Sequence, residues 1–221
     1  MLASLKAPLR PVLLHPIVWT LYQRVIAARD LRRWERTGRS SPPPHCVKQR
    51  ILAAHATAFE VGMLVETGTY LGDMAYAMRR IFRQIITIEL SIPLYERAKR
   101  RFRKSPNIAL YQGDSADMLS RILANISEPC LFWLDAHYSA GMTVKGETET
   151  PVVRELKAIL QHRIENHVIL IDDARCFGGT RDYPTVEEIG AEIAQSRPGY
   201  DFYVLHDVIR AHPKRSSRIE I

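Results

Sequence analysis

The sequence predicts an α/β fold with a mostly parallel, seven-stranded sheet and a closing antiparallel hairpin. Short apolar runs alternate with helical stretches along the chain, which is typical of right-handed βαβ units. Most of the apolar runs end in an acid, and parallel strands bring such acids to one edge of a sheet. The last two runs leave little room for a helix between them, so we expect them to pair antiparallel.

The N-terminal part, residues 1–58, is predicted to be a basic helical extension with a linker, ahead of a main domain at 59–221. Residues 1–50 contain ten Lys or Arg and two acids, whereas the remainder contains 21 and 22. A helical pattern runs from about 17 to 34, and the prolines of SSPPP at 40–44 end it. This basic amphipathic helix either lies on an anionic membrane or docks on the domain or on a second subunit, as in a homodimer; the pattern favours docking.

The remaining elements follow from periodicity, taken in order along the chain. Thr185 with Glu188 three residues later forms a capping box at the start of the last helix. The predicted helices are 46–59, 72–82, 93–103, 115–125, 151–162 and 185–196. The predicted strands lie near 63–67, 85–89, 108–111, 130–135, 167–171, 201–206 and 208–211.

Composition indicates a soluble globular protein of 221 residues, with 46% apolar and 25% charged residues. The three cysteines are odd in number and far apart, which favours thiols of a reducing compartment over a disulfide framework. The apolar stretch near the N-terminus is shorter than the about 20 residues that span a bilayer. We therefore expect a cytoplasmic protein.

The segment ETGTYLG marks the first strand end as a candidate nucleotide-binding loop. Gly68 and Gly72 allow a tight turn and a close approach of a ligand to the start of a helix. Glu89 ends the next strand about 20 residues further on, where an acid can accept hydrogen bonds from both ribose hydroxyls. A dinucleotide-binding domain is the alternative, but its Gly-x-Gly-x-x-Gly loop begins without the acid Glu66.

These motifs resemble those of class I S-adenosylmethionine-dependent methyltransferases, over roughly residues 60–211. ETGTYLG is similar to their acid-x-Gly-x-x-x-Gly loop, Glu89 to their ribose acid and GDS to their adenine contact. The resemblance implies S-adenosylmethionine as cofactor and a Rossmann-like sheet. The cofactor-binding residues that it implies are Glu66, Gly68, Thr69 and Gly72 beside the methionine moiety, Glu89 at the ribose, and Asp114 and Ser115 at the adenine.

Three acids at two later strand ends form a second predicted centre. Asp135 follows the fourth strand, and Asp172 and Asp173 follow the fifth. Close carboxylates repel each other unless they are protonated, paired with cations or bound to metal, and Mg²⁺ prefers oxygen ligands. The alternative is that one aspartate caps a turn while the other pairs with Arg175.

The second centre resembles that of metal-dependent O-methyltransferases of the catechol and macrocin type. In that resemblance Asp135, Asp172 and Asp173 hold Mg²⁺ or another divalent cation, which lowers the pKa of a substrate hydroxyl. His137 is the candidate general base, with a metal ligand or a partner of Asp172 as its alternative role. Without metal, Asp135 is either the base or a hydrogen-bond acceptor for the substrate. The implied activity is O-methylation of a hydroxylated small molecule, of sugar or secondary-metabolite type.

Two other function classes stay open. The basic arm and the cationic run from Arg97 to Lys104 could contact a nucleic acid, but such runs are more often solvated helix faces, and the Pro-Pro-aromatic motif expected for base methylation is replaced by DAHY. Nucleic acid is therefore not the favoured partner. A non-catalytic cofactor-binding module that docks through residues 1–40 is the third class.

Overall fold

The computed structural model describes residues 16–136, 150–180 and 182–220, with side chains from residue 25 onward. The chain divides into two compact units, Met1–Lys48 and Gln49–Ile221. The three cysteines are free thiols. Within the described part of the chain, no helix combines the length and the apolar character that crossing a membrane requires.

The first unit contains helix α1, Pro16–Arg36, whose last turn carries two basic residues, Arg33 and Arg36. Trp34 is buried, and its indole nitrogen donates a hydrogen bond to the Ser40 carbonyl at 2.8 Å, which fixes the turn after the helix. The Cys46 thiol donates to the Ala27 carbonyl at 3.4 Å. Membrane or subunit contacts of this helix stay predictions.

A seven-stranded sheet forms the second unit, in the order β3-β2-β1-β4-β5-β7-β6. Strands β1 to β5 are parallel, and the β6–β7 hairpin joins β5 antiparallel through β7. The predicted fold class is thereby confirmed. The strands are β1 Met63–Thr67, β2 Gln84–Glu89, β3 Ile108–Gln112, β4 Cys130–Leu134, β5 Val168–Ile171, β6 Tyr200–Leu205 and β7 Val208–Pro213.

Helices connect the parallel strands and cover the sheet. The three central strands β1, β4 and β5 are buried along their whole length, as expected for strands with helices on both faces. The helices after α1 are α2 His45–Ala58, α3 Asp73–Met78, α4 Ile92–Phe102, α5 Ser115–Leu123, α6 Val152–Leu160 and α7 Val186–Ser196.

The ends of the helices follow local chemistry, with one departure from the prediction. The predicted capping box of α7 is confirmed, because the Thr185 hydroxyl and the Glu188 carboxylate bond reciprocally to backbone N–H groups. Helix α3 ends at Met78, although the periodicity extends to 82. The helix ends there because Phe82 is buried and the Arg83 N–H donates to the Gly62 carbonyl at 2.9 Å. These two contacts direct the chain into β2.

The end of β1 lies unusually close to the end of β4. The Asp135 N–H donates to the Thr67 carbonyl at 3.1 Å, so the pairing with β1 continues one residue past the end of β4. Gly68 follows with φ 85°, and a Cβ atom built there would lie 2.5 Å from the Asp135 carbonyl oxygen. Only a residue without a side chain fits this backbone contact.

We expect Gly68→Ala to lower the free energy of unfolding by about 2 kcal/mol or more, because the methyl group meets backbone and the positive φ strains an L-residue. Urea denaturation followed by circular dichroism measures the loss. Gly178→Ala is the matched control, since its Cβ would meet no atom within 4 Å. Equal midpoints for the two variants would contradict the described contact.

Candidate functional site

The candidate site lies at the carboxyl edge of the sheet, between β1 and β4. The chain runs from β1 outward through β2 to β3, then returns to place β4 on the other side of β1. Such a reversal of strand order opens a crevice outside the carboxyl ends of the strands, where α/β proteins bind ligands. The predicted strand-end acids therefore lie along this edge of the sheet.

The glycine loop, residues 68–72, forms one wall of the crevice. Gly72 precedes α3 with φ 73°, and a Cβ atom there would lie 2.6 Å from the Phe102 ring, so α3 and α4 meet closely only at a glycine. Tyr70 has φ 50° and is 44% exposed at the middle of the loop. Both predicted glycines therefore have the left-handed backbone that the loop requires.

Glu89 ties the glycine loop to the end of β2. Its carboxylate accepts hydrogen bonds from the Tyr70 N–H at 2.7 Å and from the Ser91 N–H at 2.8 Å. Burial raises the pKa of Glu89, while these backbone donors oppose the rise. Each carboxylate oxygen keeps a second lone pair for a ligand hydroxyl, so this residue can hold the loop and a ribose together.

Glu66 is buried at the end of β1 and belongs to a short hydrogen-bond chain. The Thr87 hydroxyl donates to Glu66 Oε2 at 2.5 Å, and the Thr69 and Thr87 hydroxyls lie 2.6 Å apart. Burial raises the pKa of Glu66 to about 8, with smaller contributions in the same direction from Asp135, Glu89 and Asp73. Glu66 is therefore mostly protonated at neutral pH in the absence of a cation.

The residues predicted at the adenine have structural partners of their own. Asp114 caps α5 by accepting from the Ala116 and Asp117 N–H groups, and Arg154 lies 3.5 Å from its carboxylate. Ser115 is buried and interacts with Glu155, a residue that sequence reasoning did not single out. Neither arrangement tests the predicted adenine contact.

Glu155 is the buried acid of helix α6, 1% exposed, and it reaches toward the ends of β1 and β4. Burial raises its pKa to about 7, although the Ser115 and Thr67 hydroxyls favour the charged form, and Asp114 and Asp135 raise it further. In strict hydrogen-bonding geometry, Glu155 Oε1 and the Thr67 hydroxyl have no partner among the described residues. The only sequence signal was an acid on the apolar stripe of a helix.

The predicted magnesium ligands do not assemble into a metal site. The Asp173 carboxylate pairs with the Arg175 guanidinium at 2.8 Å, and the Asp172 carboxylate accepts from the Asp173 N–H at 2.8 Å. Arg175 also pairs with the buried Asp207. Within residues 16–136, 150–180 and 182–220, no group of three or more His, Cys, Asp or Glu side chains could hold a metal ion.

The pairing with Arg175 is therefore confirmed for Asp173, and the metal centre is not supported. A guanidinium beside Asp173 places a positive charge where a divalent cation would need to bind. Asp135 is half-buried at the end of β4, next to the glycine loop. The predicted general base His137 lies outside the described residues, as does the loop that follows it to residue 149.

The resulting crevice is strongly acidic. Electrostatic contributions to the pKa values connect Glu66 with Asp135 and Glu89, and Glu155 with Asp135. Such a cluster favours a ligand with positive charge and disfavours one with several phosphates.

Comparison with known sequences gives a partial match. No protein-family profile matches the chain. Over 76 residues it is 40% identical to the protein-L-isoaspartate O-methyltransferases of Burkholderia mallei and Burkholderia pseudomallei, a segment that is 34% of this chain and 23% of those proteins. The match thus spans about a quarter of the length of these curated relatives.

Solved structures share the fold over most of the chain at low sequence identity. The O-methyltransferase from Bacillus cereus, solved with S-adenosylhomocysteine, superposes with a TM-score of 0.58 at 16% identity, covering 85% of this chain and 90% of that one. The tomaymycin-synthesis O-methyltransferase TomG from Streptomyces achromogenes gives 0.57 at 14% identity, covering 86% and 89%. The chain therefore has the Rossmann-like fold of class I methyltransferases.

We expect the stability of the protein to fall with rising pH because of Glu66. Its pKa rises from 4.5 to about 8 on folding, so between these values the unfolded chain loses a proton that the folded chain keeps. The free energy of unfolding falls by up to about 1.4 kcal/mol per pH unit for one such group. Urea denaturation between pH 5 and pH 8.5 should show a flatter profile for Glu66→Gln, which keeps an acceptor for Thr87.

Glu155→Gln provides the comparison for this prediction, because the pKa of Glu155 is raised only to about 7. Its stability gain over the unsubstituted protein should stop growing near pH 7, whereas that of Glu66→Gln continues toward pH 8. Parallel profiles for the unsubstituted protein and Glu66→Gln would show that Glu66 ionises normally in the fold.

Proposed function

We propose that this chain is an S-adenosylmethionine-dependent methyltransferase that methylates a hydroxyl oxygen of a small molecule. The observation that carries the proposal is the acidic crevice beside a glycine loop, with Glu89 fixed at the end of β2. S-adenosylmethionine brings a sulfonium, an ammonium and a ribose diol, which such a crevice suits. The methyltransferase fold and the O-methyltransferases that share it support the same assignment.

A dinucleotide is the less suitable ligand on electrostatic grounds. Its diphosphate would have to approach Glu66, which lies buried at the start of the glycine loop. A sulfonium or ammonium would favour ionisation of Glu66 and gain an attraction, whereas a diphosphate would keep Glu66 protonated and gain none. The acid at the start of the glycine loop thus favours S-adenosylmethionine over a dinucleotide, although parallel α/β folds bind both.

Different residues of this chain would contact different parts of the cofactor. We assign the ribose to Glu89, whose carboxylate is already oriented by the Tyr70 and Ser91 N–H groups. The glycine loop, including Thr69, and Glu66 would lie along the methionine part. Asp114 and Ser115, at the start of α5, are assigned to the adenine end.

The chemical step needs orientation and removal of one proton. When bound, the cofactor supplies a methyl group on a positively charged sulfur, which is already activated. The acceptor oxygen forms a bond to the methyl carbon as the carbon–sulfur bond breaks, and the hydroxyl proton passes to a base of the protein. Asp135 is half-buried beside the glycine loop, and we propose it as proton acceptor together with His137.

We propose that this reaction proceeds without a metal ion. The pairing of Asp173 with Arg175 and the hydrogen bond of Asp172 to the Asp173 N–H engage two of the three predicted ligands. Asp135 lies beside the glycine loop, and we assign it to the reacting groups. The acceptor is proposed to be a hydroxylated small molecule, as the sequence analysis expects.

Glu89→Ala should weaken binding of S-adenosylmethionine and S-adenosylhomocysteine at least tenfold, because it removes the ribose acceptor and releases the Tyr70 N–H. Isothermal titration calorimetry on the full chain measures both ligands. Glu128→Ala is the control, since Glu128 is exposed and pairs with Arg83 before β4 begins, at the opposite edge of the sheet. No binding of either ligand to the unsubstituted protein would refute the proposed function.

Methyl transfer should persist in excess EDTA and should fall about 10²- to 10⁴-fold in Asp135→Asn, which removes a proton acceptor. Labelled S-adenosylmethionine with a panel of phenols, catechols and sugars measures the transfer. Asp135→Asn should retain cofactor affinity, which separates catalysis from binding. A Mg²⁺ titration heat that disappears in Asp135→Asn, with activity lost in EDTA, would instead establish the metal-assisted reaction.

A further inference from the structure

One segment of the second unit has a net positive charge, whereas the remainder has a net negative charge. Residues 70–107 contain nine Lys or Arg and three acids, whereas the rest of residues 51–221 contains twelve and nineteen. This segment includes α3, β2 and α4. A net charge of +6 on one segment and −7 on the remainder gives the unit a marked electrical polarity.

The positive segment forms a groove between α3 and α4, which we name the basic groove. Aromatic stacking orients part of its wall, because the Arg79 guanidinium lies 3.6 Å from the Tyr76 ring centroid and that of Arg101 lies 4.9 Å from it. The residues that line the basic groove are Tyr76, Arg79, Arg80, Arg100, Arg101, Arg103, Lys104 and Ser105.

Most of these cations form no ion pair within the described parts of the chain. Arg101 pairs with Asp73 at 2.6 Å and donates to the Leu71 carbonyl, which connects the groove to the glycine loop. The other exposed cations form no ion pair with any residue in the described parts of the chain, namely Arg80, Arg100, Arg103 and Lys104. Four unpaired positive charges in one concavity repel each other and favour an anion between them.

A purely structural role explains only part of the groove. Basic residues near a helix C-terminus interact favourably with its carbonyls, and the Arg79 guanidinium does donate to the Tyr76 carbonyl. One or two cations per helix end satisfy this interaction. The groove contains more cations than this interaction needs, because the cluster from Arg100 to Lys104 faces Arg79 and Arg80 across it.

We propose that the basic groove binds the phosphate backbone of a single-stranded nucleic acid. Arginine and lysine contacts to phosphates carry most of the affinity of such complexes and require no particular sequence. A concave row of cations can follow one strand. A planar anionic bilayer suits this surface less well, because it would contact a convex surface more closely than a concave groove. Membrane binding would also need apolar side chains to insert, and among the described residues Ile81, 46% exposed, is the one exposed large apolar side chain next to Arg79 and Arg80 in the sequence.

This surface is separate from the acidic crevice and does not depend on the identity of the methyl acceptor. The groove lies along α3 and α4, while the crevice lies outside the ends of β1, β2 and β4. The link through Arg101 and Leu71 places a bound strand on the side of the glycine loop. The nucleic acid that the sequence analysis ranks second as a partner thus has a defined surface.

The test measures how binding of a fluorescein-labelled 20-nucleotide oligo(dT) to the full chain depends on salt, by fluorescence anisotropy from 50 to 200 mM KCl. Arg100→Gln/Arg103→Gln should weaken binding at least tenfold at 100 mM KCl. The slope of log K against log [KCl] should become about 1.4 less steep, because two phosphate contacts are lost at about 0.7 each. S-adenosylhomocysteine affinity should stay within twofold.

Two control pairs remove the same charge elsewhere. Arg121→Gln/Lys157→Gln changes exposed cations of α5 and α6, and Arg32→Gln/Arg36→Gln changes exposed cations of α1. Both pairs should retain the unsubstituted slope within about 0.4. A groove variant that matches these controls would overturn the proposal. Loss of binding to vesicles containing phosphatidylserine, with oligo(dT) affinity unchanged, would also overturn it in favour of a lipid surface.

Discussion

The close approach of the Gly68 backbone to the end of β4 is the contact on which the candidate site depends. It brings the turn after β1 against the Asp135 carbonyl and leaves no space for a side chain. The glycine loop then passes over the sheet edge at a height where Glu89 can accept the Tyr70 N–H. Strand-end acids from β1, β2 and β4 consequently lie along one short stretch of edge. The contact thus holds the glycine loop against the strand ends that carry these acids.

Placing several carboxyls together has an electrostatic cost that the fold handles in two ways. At the crevice, burial raises the pKa values of Glu66 and Glu155, so protonation removes part of the repulsion. At the end of β5, the Arg175 guanidinium neutralises Asp173 and the buried Asp207. Glu66 and Glu155 at the crevice can therefore ionise when a cationic ligand binds. The carboxylates of Asp173 and Asp207 already have the Arg175 guanidinium as their counter-charge. For this reason we propose the chemistry at the ends of β1 and β4 and a structural role for the ion pairs at the end of β5.

The sequence predicted the sheet well because its strands are short apolar runs separated by amphipathic helices, and that pattern has few alternatives. It also predicted the tight turn at Gly68 and Gly72, both of which have positive φ, since the acid and the glycine spacing together indicate a turn. The second partner of Arg175 could not be selected in advance, because Asp207 reaches Arg175 only through the β6–β7 turn. Glu155 was missed since a single acid on an apolar helix face does not reveal what it meets. Both omissions concern contacts between distant segments, which periodicity does not encode.

A crystal structure of the protein crystallised with saturating S-adenosylhomocysteine would test most directly whether the acidic crevice is the cofactor site. We expect the ribose hydroxyls on the Glu89 carboxylate, the thioether sulfur beside the glycine loop and the methionine part toward Glu66. Adenosine bound elsewhere on the sheet would contradict this expectation. A crevice that stays empty of S-adenosylhomocysteine, with Glu66 and Glu89 facing solvent only, would contradict it equally.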